Sequence, residues 1–335
     1  MTRRAVATAI LNPTTGRRSA DEVESLLREV LSRHLRLRIV RTRRSGDSIS
    51  LGRAAARESD IVIAVGGDGT VSEVANGIIG SHAQLAIIPT GSTNVIARSF
   101  NIPNDPRGAA RALLGEVHAK KIDVIRLEDR IAIHMVGCGF DAQMMSDTVP
   151  MLKRAAAWVA YVPAAIKNVT GSPWAFKITI DGHTTSTVAK MVLVANGAFV
   201  LDPRFEVGRD IRSDDGLLDV IVFTPPNLAA ATEIASQLAI GRIDRSQYVK
   251  HFKGKHIRIE SDPIAPVECD GDVVGITPVD MEVWPTALTL LVPKSEPTER
   301  YMLRAADGID ATNEYRLVVT DVGSTKTSYR SGTSA

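Results

Sequence analysis

The chain has 335 residues, a formal net charge of +2, 44% hydrophobic residues and 23% charged residues. This length suits two domains, and the balance of apolar and charged residues excludes a wholly disordered chain. The small net charge gives no indication of a nucleic-acid partner. Two cysteines are too few for a disulfide framework and favour a reducing, cytoplasmic location. No apolar run reaches about 18 residues, so we expect no membrane-spanning helix.

Over roughly the first third of the chain, apolar strand patterns alternate with amphipathic helix patterns. Strands are predicted at residues 5–11, 35–40, 60–65 and 85–88, and helices at 20–33, 48–58, 71–79, 93–100 and 106–114. A continuous apolar strand such as 60–65 is typical of a parallel sheet that is covered on both faces. The pattern predicts an N-terminal three-layer α/β domain with a mostly parallel sheet, over residues 1–125.

The texture changes after about residue 121, where short segments rich in β-branched residues are separated by Gly, Asp and Pro. They predict a second, mainly antiparallel β domain over residues 126–285, interrupted by a helix at 151–168. Residues 286–318 are expected to pack back onto the first domain. Residues 319–335 are rich in Ser, Thr and Gly, and we predict a flexible tail there.

Three glycine-bearing turns follow predicted strands, and the most informative is Gly66-Gly67-Asp68-Gly69-Thr70. Glycines before a helix N-terminus expose backbone N–H groups to a phosphate, and the helix dipole favours its negative charge. A carboxylate at Asp68 would repel that anion unless a cation mediates, which implies Mg²⁺. The other turns are residues 12–16 and 89–94. All three follow parallel strands, at whose carboxyl ends open α/β sheets bind ligands.

The ordered set of motifs resembles the diacylglycerol kinase catalytic-domain family. This family includes bacterial soluble diacylglycerol kinases and, more distantly, sphingosine and ceramide kinases. The matching segments are residues 12–16, 42–47, 66–77, 89–98, 137–142, 213–220 and 267–272. The resemblance implies a fold like that of NAD kinases and diacylglycerol kinases, with a C-terminal β-sandwich. It also implies an ATP-dependent transfer of phosphate to a lipid hydroxyl, with diacylglycerol as the expected acceptor.

The same resemblance implies roles for individual residues. ATP is expected to contact Asn12, Pro13, Thr14, Thr15, Gly16, Thr42, Gly66, Gly67, Asp68, Gly69, Thr70, Val71, Ser72, Glu73, Gly91, Ser92 and Asn94. A structural Mg²⁺ is expected at Asp215 and at the main-chain carbonyls of Arg212 and Leu217. Catalysis is assigned to Asp68, in a Mg²⁺-linked role, and to a carboxylate base. The family's late motif is Asp-Gly-Glu and this chain has Asp270-Gly271-Asp272, so the base stays open between Asp270 and Asp272.

Several interpretations remain open at this level. Residues 33–44 contain six arginines and fit either a solvated sheet edge or a surface that attracts ATP or anionic lipid. Residues 155–166 fit either a core helix or a helix at the membrane interface. A lipid acceptor would be met at the bilayer surface, so we expect a peripheral protein on the inner face of the membrane, with homodimer formation open.

Two alternative functions remain beside the lipid kinase. An NAD kinase shares the Gly-Gly-Asp-Gly-Thr loop and the two-domain plan. A catalytically weak lipid- or nucleotide-binding regulator is the other alternative. Two departures from the family's pattern suggest it. Asp272 stands in place of the family's Glu, and residues 197–201 contain one glycine where the family has a glycine-rich stretch.

Overall fold

A computed structural model describes residues 4–16, 18–139, 172–200, 205–208, 210–294 and 318–321. The predicted helix at 151–168 lies outside the described residues, and so does the candidate membrane-interface segment 155–166. In the part of the chain that is described, no helix is both long and apolar enough to cross a bilayer.

The first domain is built on four parallel strands, β1 (Val6–Leu11), β2 (Arg36–Arg41), β3 (Ile61–Gly66) and β4 (Gln84–Pro89), in the order β2-β1-β3-β4. Its helices are α1 (Ala20–Leu31), α2 (Asp47–Ala55), α3 (Asp68–Ile78), α4 (Val95–Ser99) and α5 (Pro106–Leu114). Helix α1 packs with α5, α2 packs with α3, and every residue of β3 is buried between the helical layers. The predicted three-layer α/β domain is confirmed.

Local sequence signals fix the start of α1. The Ser19 hydroxyl accepts the N–H of Glu22, and the Glu22 carboxylate accepts the N–H of Ser19 at 2.8 Å, which is a complete capping box. The buried side chains of α1 recur at helical spacing, and they are Val23, Leu26, Leu27 and Leu31. This helix therefore returns the chain from the end of β1 across the face of the sheet.

The second domain is mainly antiparallel. The remaining strands are β5 (Glu116–Arg126), β6 (Ile131–Ala132), β7 (Met135–Gly139), β8 (Trp174–Ile180), β9 (His183–Ala189), β10 (Met191–Ala195), β11 (Leu218–Phe223), β12 (Val249–Gly254), β13 (His256–Asp262), β14 (Pro266–Cys269), β15 (Asp272–Ile276), β16 (Val279–Pro293) and β17 (Val318–Asp321), with one further helix, α6 (Leu228–Ala239). The sheet β12-β11-β10-β7-β14-β15 packs against strands β16, β13 and β8 through a shared apolar core. This confirms the predicted β-sandwich.

Strand β16 connects the two domains. It pairs antiparallel with β13 near its start and with β5 along much of its length, and Leu290 pairs in parallel with Leu85 of β4. The sequence predicts two separate strands here, at 281–284 and 288–292. The structure joins them across an irregularity between Trp284 and Leu288, because one long strand can serve both sheets.

Two other differences from the sequence-based expectations concern strand ends. The single strand expected at 131–136 is divided into β6 and β7. The expected flexible tail 319–335 starts inside β17, whose residues pair in parallel with β5. Helix α6 is a further element beyond those predicted, although its Ala- and Leu-rich composition and the N-cap Asn227 both favour a helix.

Candidate functional site

Four strand-to-helix turns lie side by side on one rim of the parallel sheet. Thr42 follows β2, residues 12–16 follow β1, residues 67–70 follow β3 and residues 90–94 follow β4. The N–H of Thr42 donates to the carbonyl of Leu11, and the N–H of Thr90 donates to the carbonyl of Gly66, both at 2.9 Å. The rim therefore brings together the predicted nucleotide-contacting residues from segments far apart in the sequence.

Asn12 organises the turn after β1. Its Oδ1 accepts the N–H of Thr14 at 3.0 Å and the Thr14 hydroxyl at 2.8 Å. Its Nδ2 donates to the Thr70 hydroxyl at 3.0 Å. Pro13 and Thr14 remain exposed at the tip of the turn. Asn12 thereby connects the turn after β1 to the first helical turn of α3.

The same turn also contacts the turn after β4. The hydroxyls of Thr15 and Thr90 lie 2.8 Å apart. Gly16 has a φ of +89°, and a Cβ at this position would lie 2.4 Å from the carbonyl oxygen of Thr90. Because only glycine combines that backbone conformation with so close an approach, Gly16 is required for the two turns to meet.

Helix α3 begins at Asp68, directly after its N-cap Gly67. The sequence predicts the helix from residue 71, so the Gly-Gly-Asp-Gly-Thr motif is not a loop before the helix but includes the helix's first turn. The first N–H groups of a helix have no acceptor inside it, and the helix dipole is positive there. The amides available to a phosphate therefore belong to the motif itself.

Asp68 fixes the helix that follows the β4 turn. Its Oδ2 accepts the N–H of Val95 at 3.1 Å, and its Oδ1 accepts the N–H of Ile96 at 2.9 Å. Burial raises the pKa of Asp68 above its usual value, and the hydrogen bonds from these two amides oppose that rise only in part. Each carboxylate oxygen keeps a further lone pair that a cation could use.

Residues further along α3 face inward. Val71 is buried, and the Ser72 hydroxyl donates to the Asp270 carboxylate at 2.9 Å. The Glu73 Oε1 accepts the N–H of Gly46 at 2.9 Å, which ties the loop after Thr42 to the helix. These contacts connect α3 to Asp270 before β15 and to the loop before α2.

The turn after β4 is held by an asparagine in the left-handed conformation. Asn94 has a φ of +49° and is buried. Its Nδ2 donates to the carbonyl of Gly91 at 2.8 Å and to the Oδ1 of Asn104 at 2.7 Å. Ser92 is exposed at the tip of this turn. Asn94 therefore shapes the turn from below, whereas Ser92 is available on its surface.

The Asp270 carboxylate is buried among donors that belong to the protein itself. Besides Ser72, its oxygens accept the N–H groups of Ile133 at 2.8 Å, His134 at 2.9 Å and Met135 at 3.1 Å. The residue is only 8% exposed. These bonds also explain why the chain bends between β6 and β7, since the amides there turn toward the carboxylate.

Asp272 has a different environment. It begins the edge strand β15 and is exposed. Its Oδ2 lies 3.2 Å from the point that a Cβ on Gly69 would occupy, so the carboxylate stands next to the first turn of α3. Of the two aspartates in the late motif, Asp272 is the one that faces the rim.

The expected structural Mg²⁺ ligands lie on the turn before β11. The Asp215 Oδ1 accepts the N–H of Leu217 at 3.1 Å, and the Asp215 Oδ2 lies 3.7 Å from the Lys253 Nζ. Within the described residues, no group of three or more His, Cys, Asp or Glu side chains could hold a metal ion. The Lys253 ammonium group beside Asp215 therefore already supplies positive charge at the place where the Mg²⁺ ion is expected.

Two positioning residues were not predicted from the sequence. The Asn196 Nδ2 donates to the carbonyls of Asp123 and Ile133, both at 2.8 Å. The Asp123 carboxylate accepts the N–H groups of Gly216 and Thr286, both at 2.7 Å. Each is a polar side chain within or directly after a strongly apolar strand, and that contrast is the signal that could have identified them.

The arginine-rich segment forms the edge strand β2 and the loop after it. Arg41 contacts the carboxylates of Asp21 at 2.6 Å and Glu24 at 2.7 Å, and Arg38 lies 3.3 Å from the Glu58 carboxylate. Arg38 and Arg41 therefore pair with acidic neighbours on the same domain, and such charged side chains on an edge strand discourage pairing with another chain.

Known proteins share both domains of this chain. The family description "Diacylglycerol kinase catalytic domain" matches residues 6–127, and "YegS C-terminal NAD kinase beta sandwich-like domain" matches residues 134–292. A Staphylococcus aureus (strain MSSA476) protein named "Putative lipid kinase SAS0691" is 30% identical over 241 residues, which cover 70% of this chain and 78% of the relative.

Solved structures share the fold. A crystal structure described as a diacylglycerol kinase from Bacillus anthracis str. Sterne is 25% identical, with a TM-score of 0.74 and coverage of 88% of this chain and 99% of that chain. A second structure from the same organism, 24% identical, has a TM-score of 0.77 and covers 88% of this chain and 97% of its own. The chain belongs to the diacylglycerol kinase catalytic-domain family of lipid kinases.

Proposed function

We propose that this chain is an ATP-dependent kinase that transfers the γ-phosphate of ATP to the free hydroxyl of diacylglycerol and so forms phosphatidic acid. Family membership supports a kinase with a lipid acceptor. The observation that carries the proposal is the position of the Asp272 carboxylate beside Gly69, where a candidate base adjoins a candidate phosphate-binding turn.

The residues at the rim have different roles in phosphoryl transfer. The N–H groups at the start of α3 hold phosphate oxygens, and the Asn12 and Thr15 turn closes the site from the side of β1. The Asp272 carboxylate orients the acceptor hydroxyl. As the hydroxyl oxygen bonds to the γ-phosphorus and the bond to the bridging oxygen of ADP breaks, Asp272 takes the hydroxyl proton.

A divalent cation belongs to this proposal. Mg²⁺ held at Asp68 would neutralise charge on the transferring phosphate oxygens. Asp68 suits this role because its oxygens keep lone pairs after binding the amides of Val95 and Ile96. Asp272 is exposed beside the first turn of α3, whereas the Asp270 carboxylate is buried and accepts hydrogen bonds from four protein donors.

A competition assay tests the proposal. Purified protein is given labelled ATP, Mg²⁺ and mixed vesicles that contain diacylglycerol, a sphingosine-type base or ceramide, with NAD in a separate reaction. We expect label in phosphatidic acid, and its loss in Asp272→Asn. Transfer to NAD alone would refute a lipid acceptor. Nucleotide binding without transfer to any acceptor would instead favour the catalytically weak regulator.

We also propose that the protein meets its acceptor as a peripheral protein at a membrane surface. Diacylglycerol stays in the bilayer, so the exposed β15 edge that carries Asp272 would have to approach that surface. Flotation with vesicles at low salt tests this. We expect co-flotation that increases with diacylglycerol content, and protein that stays at the bottom under every lipid composition would contradict the proposal.

A further inference from the structure

Lys253 occupies the centre of the acidic turn before β11. Its Nζ donates to the carbonyl of Asp210 at 2.8 Å and lies 3.3 Å from the Asp219 Oδ1 and 3.7 Å from the Asp215 Oδ2. Asp219 is completely buried, and among the described residues its Oδ2 has no hydrogen-bond partner. A carboxylate in that position needs a nearby positive charge, because isolated buried charges are strongly unfavourable.

The other carboxylate on the turn has its own cations. The Asp214 Oδ2 lies 3.2 Å from the Lys120 Nζ. The Asp214 Oδ1 accepts a hydrogen bond from the Nε–H of Arg212 at 3.1 Å. Although burial opposes ionisation, these two cations hold the pKa of Asp214 below its usual value. The Arg212 side chain thus neutralises the turn, in addition to any role of its carbonyl.

Each of the three ion-paired carboxylates at this turn has a cationic partner among the described residues. The carboxylates of this cluster are Asp214, Asp215 and Asp219, and its cations are Lys120, Arg212 and Lys253. His251 adds a contact, since its Nε2 lies 2.6 Å from the Asp219 Oδ1. A divalent cation entering this cluster would add excess positive charge next to Lys253, or would have to displace it.

The turn matters because it lies against β5. The Asp123 carboxylate accepts the N–H of Gly216 at 2.7 Å, and the N–H of Asp123 donates to the carbonyl of Ser213 at 2.7 Å. Asn196 then bridges Asp123 to Ile133, whose amide binds Asp270. A fixed turn therefore supports, through these hydrogen bonds, the segment that carries the candidate base.

We infer that the Lys253 ammonium group is the built-in structural cation of this turn and takes the place that a bound Mg²⁺ would otherwise fill. Lys253 acts as a positioning residue, since it touches the acidic turn and not the rim. The turn therefore keeps its shape when free divalent cations are removed.

The first test measures the melting temperature of the nucleotide-free protein in EDTA and in millimolar Mg²⁺. We expect the same value in both. Stabilisation by Mg²⁺ that disappears in Asp215→Asn would place a metal at this turn and overturn the inference. Stabilisation that is equal in the wild type and in Asp215→Asn would come from a site elsewhere and would support a metal-free turn.

The second test compares Lys253→Met with a control, Lys250→Met. The Lys250 side chain is exposed on the same strand as Lys253. We expect Lys253→Met to melt roughly 4 °C or more below wild type, because Asp215 and Asp219 lose their cation. Mg²⁺ should recover part of that loss in Lys253→Met and change nothing in the Lys250→Met control.

Equal melting temperatures for the two variants would overturn the inference. Lys253→Arg keeps the positive charge and is expected to resemble the wild type in both conditions. If Lys253→Met does not fold, the comparison of wild type with Asp215→Asn still decides the question. All measurements are made at one pH because His251 also contacts Asp219.

Discussion

The Oδ2 of Asp272 lies 3.2 Å from the point that a Cβ on Gly69 would occupy. Gly69 belongs to the first turn of α3, and Asp272 begins an edge strand of the other domain. The absence of a side chain at Gly69 is what lets the carboxylate lie so close to the first turn of α3. This contact between domains is the basis of the first two predictions.

Replacing Gly69 with Ala should separate activity from stability. The added methyl would push the Asp272 carboxylate away, and we expect turnover to fall by at least about tenfold, since small displacements of reacting groups are costly. Folding should be unaffected or improved, because Ala is favoured over Gly in helices by up to about 1 kcal/mol. Initial rates and thermal melting measure the two effects.

Gly275→Ala is the matched control for this change. Gly275 lies on the same strand as Asp272, and a Cβ there would meet no atom of the described residues within 4 Å. We expect wild-type turnover in the control. Full activity in Gly69→Ala would show that the contact with Asp272 is unimportant for transfer.

The two aspartates of the late motif should respond oppositely to substitution by Asn. Asp270→Asn places an amide NH₂ against N–H donors, and we expect the free energy of unfolding to fall by about 3 kcal/mol. Asp272→Asn should keep wild-type stability and lose roughly 100-fold in turnover, the usual scale for a proton acceptor. Denaturant unfolding and initial rates distinguish them. A stable but inactive Asp270→Asn, with an active Asp272→Asn, would reverse the assignment.

Asp68 should make stability depend on pH in a defined direction. Burial raises its pKa in the folded state above the usual value of about 3.8. The stabilisation that Asp68 gives the folded state is therefore fully present at a pH below the usual pKa, and it is lost as the pH rises through the folded-state pKa. The free energy of unfolding of wild type minus that of Asp68→Asn should decrease over this acidic range. Urea unfolding at a series of pH values measures it, and a constant difference would contradict the prediction.

Asp68→Asn should also reduce turnover by at least about 100-fold. The Asn side chain has one acceptor oxygen, so one of the amides of Val95 and Ile96 loses its partner, and the negative charge next to the phosphate site disappears. Circular dichroism checks that the variant is folded. Near wild-type turnover in a folded Asp68→Asn protein would remove Asp68 from the proposed mechanism.

Gly16→Ala should weaken both folding and nucleotide binding. It forces a left-handed backbone on a residue with a side chain and places the methyl 2.4 Å from the Thr90 carbonyl oxygen. Gly80→Ala is the control, because Gly80 has a φ of +75° and no atom of the described part of the chain lies within 4 Å of its Cβ position. In the control, the free energy of unfolding should fall only by the cost of a left-handed backbone at a residue with a side chain, about 1–2 kcal/mol. We expect Gly16→Ala to lose more and to bind ATP more weakly by calorimetry, and equal losses would contradict this.

Local patterns were sufficient for the α/β domain because its signals are local. The apolar run of β3, the glycines after it and the capping box of α1 each act within a few residues of sequence. The turns after β1, β3 and β4 could be placed on one rim because parallel strands end on the same side of a sheet.

Pairing partners distant in the chain decided what local patterns could not. Strand β16 is continuous because it pairs with β13 and β5 and reaches β4. β6 and β7 are separate because Asp270, far along the chain, binds the amides between them. β17 forms against β5 although its own composition resembles that of a loose tail.

By itself the sequence determined the two-domain class, the glycine turns and the likeness to lipid kinases, since these depend on residue type and order. It left the base open between Asp270 and Asp272, and only the family resemblance implied a metal ligand at Asp215. Only the tertiary structure distinguished the environments of these carboxylates. A carboxylate's behaviour depends on its burial and its partners, and here Ser72 and Lys253 come from other parts of the chain.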